Sequence, residues 1–440
     1  MPPTNDPKKP FHIAVCGGGI GGLALTIGLL HQHISCTVYE AAHEFAEIGA
    51  GVSFGPNSIR AMSLLDPSIE EGYRSIETRN AWDSKKPIWF DFRLGMKPET
   101  WDESFGNPVG EDGQWIAAPE AGHDVGQCSV HRAHFLDVLV KMVPDGVAKF
   151  GKRVEEVVEL PSGKMELTFH DGSKAEADAV IGCDGVKSRT RQIILGKDHP
   201  STNASFTGKY AYRGLIPMEK AIEAVGEELA VNSQMYLGHH GHILTFPIEK
   251  GKTMNVVAFR SMDGEWTDEK WVLPMKREDM VKDYEGWGAH VSKILPLMEK
   301  PDIWALFDHP AAPTYYKKRF AMLGDAAHAS TPHQGAGAGQ AIEDAYVLSS
   351  LLGEINSVDD IEKAFKAYDT IRRPRSQRVV TTSRDAARIY EFEDENLGSD
   401  LEKIRETLGE RFKWIWDEDM VAQKDKALQL LRDEGVKVEL

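Results

Sequence analysis

The chain has 440 residues, 41% of them hydrophobic, which is enough to build two intimately packed domains around sizeable cores. Its net charge of −17 excludes a general nucleic-acid or membrane-surface binder, because the overall field would repel either partner. An anionic ligand must therefore be captured by local arginines. Cys16, Cys36, Cys128 and Cys183 are far apart and form no CxxC pair, so they are expected to be reduced and mainly structural. MPPTNDPKKP at the N-terminus has no apolar core of the signal-peptide kind, and no run approaches the roughly 18–20 apolar residues of a membrane span. A cytoplasmic setting is expected, with the Asn203-Ala204-Ser205 sequon a chance match.

In chain order, FHIAVC, GGGIGG, LALTIGLLHQH and ISCTVYE read as strand, tight turn, helix and strand, a βαβ start ending at Glu40. From about Arg74 to Gly126 the composition suits loops and short strands. VHRAHFLDVLVKMV has helical spacing, with Ser129 expected as its N-cap. RVEEVVEL and KMELTFHDGSKAEADAVIGCDG alternate as strands, with a hairpin turn at His170-Asp171-Gly172-Ser173. YAYRGLIPM, SQMYLGHHGHILTFPI and TMNVVAFRS follow one another without long helices, which predicts a mainly antiparallel second domain. Residues 276–306 and 340–390 are expected to be mostly helical, and the charged tail beyond Tyr390 has helical periodicity.

Three glycine-acid segments carry the chemistry. Gly17-x-Gly19-x-x-Gly22 sits between strand and helix with Glu40 ending the next strand, the pattern that cradles a pyrophosphate and holds a ribose. Its bland alternative is a merely tight βα turn. Asp184-Gly185 ends an apolar strand beside Lys187, Ser188, Arg189 and Arg191, which could equally be a solvated basic turn. Asp325 ends RFAMLG and opens GDAAHASTPHQGAGAGQAIEDA, whose bland reading is a glycine-rich loop capping a helix.

In this order and spacing the three segments resemble the FAD-dependent aromatic hydroxylases, the single-component flavoprotein monooxygenases related to p-hydroxybenzoate and salicylate hydroxylases. The resemblance runs from about Phe11 to Arg378. It is closest to salicylate hydroxylase-like enzymes and fungal phenol-dearomatising relatives, through EIGAGVSFGPNSIRAM, YAYRGLIPM and PHQGAGAGQAIEDA. It implies an α/β fold: a Rossmann-like FAD-binding domain of the p-hydroxybenzoate hydroxylase type, an inserted antiparallel substrate domain and C-terminal helices. The expected division is 1–78, 121–204 and 312–390 for the FAD-binding parts, 79–120 for substrate-side loops and strands, 205–311 for the substrate sheet, and 391–440 for a helical segment. That last segment is expected either to cover the FAD domain or to mediate a homodimer.

The resemblance also implies roles. Gly17, Gly19 and Gly22 would hold the pyrophosphate, Glu40 the adenosine ribose, and Asp325 the ribityl or pyrophosphate region. Arg132, Ala50 and Asp184 join the cofactor contacts, the last also linked to the nicotinamide donor, NADH or NADPH. Gly335, Ala336 and Gly337 would present N–H groups to the anionic edge of reduced flavin, while Pro332 leaves room for O2. Reduced flavin and O2 would form a C4a-hydroperoxide that hydroxylates a phenolic acid, most simply salicylate to catechol with loss of CO2. A larger phenol of fungal secondary metabolism is the alternative. Arg213 is the first candidate for the substrate oxyanion and His333 for its phenol proton; Arg260 is a weaker candidate, and His328 is read as structural. Dearomatising relatives tend to carry a tyrosine where this chain has Phe246 and a second histidine where it has Gln334, which favours the salicylate-type reaction. His239, His240 and His242 invite a metal reading, with His240 and His242 on one strand face, but no carboxylate or cysteine lies nearby in sequence, so no metal is expected. Trp82, Trp89 and Trp101 remain unassigned.

Overall fold

A strand that is apolar on both faces needs parallel neighbours and helical cover. His12–Cys16 has both in the computed structural model, which describes residues 6–45, 51–97, 110–122, 125–298 and 301–438. It pairs in parallel with Ser35–Tyr39 and with Ala179–Gly182, so that Val15 lies opposite Val38 on one side and Ile181 on the other. These strands are the centre of a six-stranded sheet completed by Ala148–Lys149 at one edge and by Phe320–Met322 and Tyr316–Lys317 at the other. Helix Ile20–His31 leaves the first strand through the glycine turn and packs against helix Gly337–Glu354. A three-stranded antiparallel sheet, Val154–Glu159, Met165–Phe169 and Lys174–Ala177, contains the expected hairpin at His170–Ser173.

The second layer is an eight-stranded sheet in the order Val272–Pro274, Asp302–Asp308, Ser205–Pro217, Thr253–Ser261, Gly241–Ile248, Gln234–Gly238, Asp91–Leu94 and Trp115–Ala117. All its pairings are antiparallel except that of Gln234–Gly238 with Asp91–Leu94. Each of the two large sheets has its own apolar cluster. We propose that the expected domain division follows the passage of the chain between these two cores.

Three local expectations change. Ser129 lies inside the strand Cys128–His131, opposite Ser53, and its hydroxyl donates to the Pro247 carbonyl (2.8 Å). The helix therefore starts at Arg132, with His131 as its N-cap and no side-chain capping bond. Residues 302–306 are strand rather than helix, because Asp302–Asp308 pairs with the long strand Ser205–Pro217. His240 occupies a hairpin turn at φ +55° rather than a strand face shared with His242.

The C-terminal helices close the two layers from outside. Leu401–Glu410 packs on the edge strand Trp115–Ala117, while Met420–Asp433 packs on Gly337–Glu354 and Ile361–Tyr390. Their apolar residues, Ile404 and Leu408 in the first and Ala427 and Leu431 in the second, are buried within the chain itself. All four cysteines are free thiols. No helix among the described residues is long and apolar enough to cross a membrane.

A buried ionic knot joins the two helices behind the glycine-rich loop. Arg372 donates to Glu343 (2.6 Å) and Asp344 (2.8 Å), and Arg375 donates to Glu343 (2.8 Å). Burial alone would raise the Glu343 carboxyl, but Arg372 and Arg375 overcome it and hold the group at about 2. Its folded pKa lies below the unfolded one, so its contribution is present above the ordinary carboxylate range and is lost as pH falls from roughly 4.3 towards that value. Arg372→Met leaves buried carboxylates uncompensated and should destabilise the fold by about 3–5 kcal/mol in urea unfolding. Wild-type stability retained unchanged to pH about 2 would contradict this reading of the knot.

Candidate active site

The three glycine-acid segments converge on one cavity of about 890 Å³, near the top of the range for ligand sites. Gly17, Gly19, Glu40, Arg132, Asp184, Asp325, Pro332, His333, Gly335, Ala336, Gly337 and Arg213 all line it. Gly22 does not, and its reason is steric: a Cβ there would sit 2.0 Å from the Gly17 carbonyl oxygen, so only glycine lets the helix start this close to the turn. Gly17 itself has φ +112°, and a Cβ would lie 2.4 Å from the Cys183 carbonyl oxygen. Ala50 and Trp101 fall outside the described residues.

Glu40 braces the turn. One carboxylate oxygen accepts from Gly18 N (2.6 Å), the other from Ala42 N (2.7 Å). Helix Ile20–His31 has no side-chain cap, so its first N–H groups face the cavity, where Gly19, Ile20 and Gly21 form the wall. Cations answer the strongly negative net charge locally: Arg153, Lys187 and Arg189 also line the cavity. Lys152 lies on Glu40's side, its backbone N–H donating to the Glu40 carbonyl (2.8 Å).

Asp184 is committed differently from the expectation of a direct ligand contact. Its carboxylate accepts from Ser188 Oγ (2.6 Å), Thr190 Oγ1 (2.5 Å), Arg189 N (2.8 Å) and Thr190 N (2.9 Å). Four donors fill the acceptor capacity of a carboxylate. Asp184 thus shapes the turn, and it lines the cavity together with the neighbouring Gly185 and Lys187. Asp325, by contrast, leaves its side chain exposed on the cavity wall. His328 is buried against Asp344, with Nε2 2.6 Å from the carboxylate. Gln334 turns away and ties the loop to helix Ile361–Tyr390 through Thr382 (2.9 Å) and Ser383 (3.1 Å).

The far end is built on the eight-stranded sheet. Arg213, Val257, Leu244 and Met235 form a row straight across four adjacent strands, each directly opposite the next. Phe246 and Phe259, two residues along from Leu244 and Val257, extend the same face, and all six line the cavity. The Arg213 guanidinium lies 4.9 Å from the Trp304 ring centroid, and its buried Nε has no hydrogen-bond partner among the described residues. Burial, and then Arg132, push its pKa down to about 10. A cation this poorly compensated at rest is a ready site for an anion.

His333 is buried beside Phe259, with ring centroids 4.8 Å apart. Its Nδ1 is 3.3 Å from His242 Nε2, while its own Nε2 has no partner among the described residues. Burial and His242 hold His333 well below the usual histidine pKa, so it is neutral and able to accept a proton. Arg260 is not a wall residue: it donates to the His239 carbonyl (3.1 Å) and lies over the Tyr284 ring. His240 and His242 pair with Glu393 (3.0 Å) and Glu391 (2.9 Å), and the Lys209 ammonium sits between those carboxylates. Trp82 is 39% exposed, whereas Trp89 lines the cavity and packs on Phe412. Of the wall residues missed in the sequence, Leu244 could have been found from its i, i+2 spacing to Phe246, whereas Met235, Val257 and Trp304 lie on other strands and join the wall through strand pairing.

Residues 11–383 match the family described as FAD binding domain. The chain is 43% identical to a 6-methylsalicylate 1-monooxygenase of Aspergillus terreus over 96% of its own length and 92% of that protein. It is 39% identical to a salicylate hydroxylase of Pseudomonas putida, covering 97% of this chain and 96% of that one. Among solved structures, a salicylate hydroxylase substrate complex superimposes with a TM-score of 0.84 at 38% identity, covering 96% of this chain and 98% of the other. With a cavity of dinucleotide size whose glycine turn admits no side chain, the chain belongs to the FAD-binding-domain family and is an FAD-dependent monooxygenase of the salicylate hydroxylase-like group.

Proposed function

We propose that this enzyme hydroxylates salicylate, or a ring-alkylated 2-hydroxybenzoate, at the carboxylate-bearing carbon. One salicylate, one NAD(P)H, one O2 and two protons then yield catechol, CO2, water and NAD(P)+. The observation that carries this is that Arg213 and His333 line the same cavity, with Arg213 Nε and His333 Nε2 both buried and without a hydrogen-bond partner among the described residues. When bound, FAD would supply the two-electron acceptor for the nicotinamide and the activation of O2. Gly17, Gly19 and the open end of helix Ile20–His31 would hold its pyrophosphate, Glu40 its adenosine ribose, and Asp325 its ribityl side.

Arg213 pairs with the substrate oxyanion and fixes its orientation. His333 takes the phenol proton at Nε2, making the ring electron-rich. Met235, Leu244 and Phe246 pack the ring and any alkyl substituent while keeping water out. Phe246 has no hydroxyl to stabilise a dienone carbonyl, which supports an aromatic rather than a dearomatised product. Four unpaired thiols support a reducing, cytoplasmic setting.

The purified protein should carry FAD and oxidise NAD(P)H faster when salicylate or 6-methylsalicylate is added. No stimulation by either, but stimulation by a larger phenol, would transfer the reading to the alternative substrate class. His333→Gln should slow hydroxylation about 100-fold or more with flavin content unchanged. A rate equal to wild type across pH would make His333 a packing residue.

A further inference from the structure

Behind the cavity, polar side chains from three adjacent strands and the end of a long helix form an unbroken line. His333 Nδ1 lies 3.3 Å from His242 Nε2, and His242 Nδ1 lies 2.9 Å from Glu391 Oε1. Glu391 contacts the Lys209 ammonium and accepts from Ser261 Oγ (2.8 Å). Ser261 and Lys209 are partners across neighbouring strands, and both also reach Glu393, at 2.8 Å and 2.9 Å. Glu393 meets His240 Nδ1 at 3.0 Å, and the His240 side chain is 43% exposed, whereas His242 and Glu391 are completely buried.

We propose that this line is a proton path from the substrate pocket to solvent, with His242 and Glu391 as positioning residues acting through His333. It rests on the reading of His333 as the acceptor of the phenol proton. The phenol O–H proton passes to His333 Nε2 as the Nδ1 proton of His333 passes to His242 Nε2 and the Nδ1 proton of His242 passes to Glu391. Both imidazoles end neutral. Lys209 gives a proton to Glu393 and is reprotonated by Glu391, and Glu393 releases its proton through His240 to water. Run backwards, the same steps reprotonate the product and restore both imidazole tautomers.

The electrostatics explain why a path is needed rather than a single base. Burial disfavours an imidazolium at His333 and at His242, so neither can store the proton. Burial would also favour a protonated Glu391, but hydrogen bonding from His242 and the Lys209 charge reverse this and keep it a carboxylate. The charged groups outside this trio that act on it are Lys209 and Glu393, with His240 beyond Glu393, Phe259 stacked on His242 at 4.3 Å and Tyr390 against its edge. The outlet at Glu393 and His240 is the part of the line that reaches water.

The test uses FAD-loaded oxidised enzyme without NAD(P)H, mixed rapidly with 5-nitrosalicylate below the pKa of its phenol. Phenolate absorbance then reports ionisation with no turnover. His242→Phe, which keeps a ring against Phe259, should slow phenolate formation at least about tenfold and change its pH profile and solvent isotope effect, with probe affinity within about threefold. Glu393→Gln combined with His240→Ala, at the exposed end, should slow it about threefold. Wild-type rates and pH profiles in His242→Phe overturn the path; if that variant does not load flavin, wild-type behaviour in the outer double variant overturns it. 4-Nitrophenol, an acidic phenol without a carboxylate, is run in parallel. Ionisation of 4-nitrophenol but not 5-nitrosalicylate by wild type counts against the 2-hydroxybenzoate reading, while the variants still decide the path.

Discussion

Arg213→Met is expected to raise the KM for salicylate about 10- to 150-fold, the equivalent of losing a charged hydrogen bond worth about 1.5–3 kcal/mol, with FAD content unchanged. Methionine keeps an apolar stem near Trp304 but removes the positive charge that Arg213 brings to that end of the row. The same change should not destabilise the protein. Burial and Arg132 lower the Arg213 pKa to about 10, so the charged side chain opposes folding at every pH below that value, and the cost disappears when the charge is removed. A raised KM with an equal or higher Tm would fit a binding role. A lowered Tm with unchanged KM would make Arg213 a structural residue of its strand.

Gly17→Ala is expected to leave less than about a tenth of the wild-type FAD per purified chain. The position combines φ +112° with a Cβ contact 2.4 Å from a backbone oxygen of Cys183, and neither neighbour is a flexible side-chain end. Strain of this kind costs about 1–3 kcal/mol in the backbone alone, before the clash is relieved. Relief would move either the Gly17 turn or the strand end at Cys183 and Asp184, and both line the cofactor end of the cavity. Flavin absorbance per chain measures the outcome, with circular dichroism to check that the sheet survives. Wild-type flavin content in this variant would mean that the turn is not the pyrophosphate cradle.

Local patterns made much of this site legible. The βαβ start was readable because glycine spacing, a flanking apolar strand and an acid at the next strand end all constrain the same turn. Arg213 is singled out through the resemblance of YAYRGLI to its family and the fit of a guanidinium to a planar oxyanion, not through any alternation in the strand. Asp302–Asp308 was obscured by its place just after helices: DIWALFD becomes a strand through pairing with residues about a hundred positions earlier. Ser129 looked like a cap because serine before an apolar helix is a good local signal, but pairing with Gly51–Ser53 carried the strand on to His131. The His242–Glu391 contact spans 149 positions, and nothing local in either stretch announces the other. Asp184 shows a subtler limit: the acid was found where the motif put it, but only the fold shows that its acceptor capacity is already used by Ser188, Arg189 and Thr190.

The most direct measurement is to supply salicylate labelled with 13C in the carboxyl group under 18O2 and to follow both products by mass. One labelled CO2 and one catechol carrying a single 18O per NAD(P)H consumed is the expected result. NAD(P)H consumption that leaves the salicylate intact, or a dihydroxybenzoate that keeps its labelled carboxyl group, would contradict decarboxylative hydroxylation at this site.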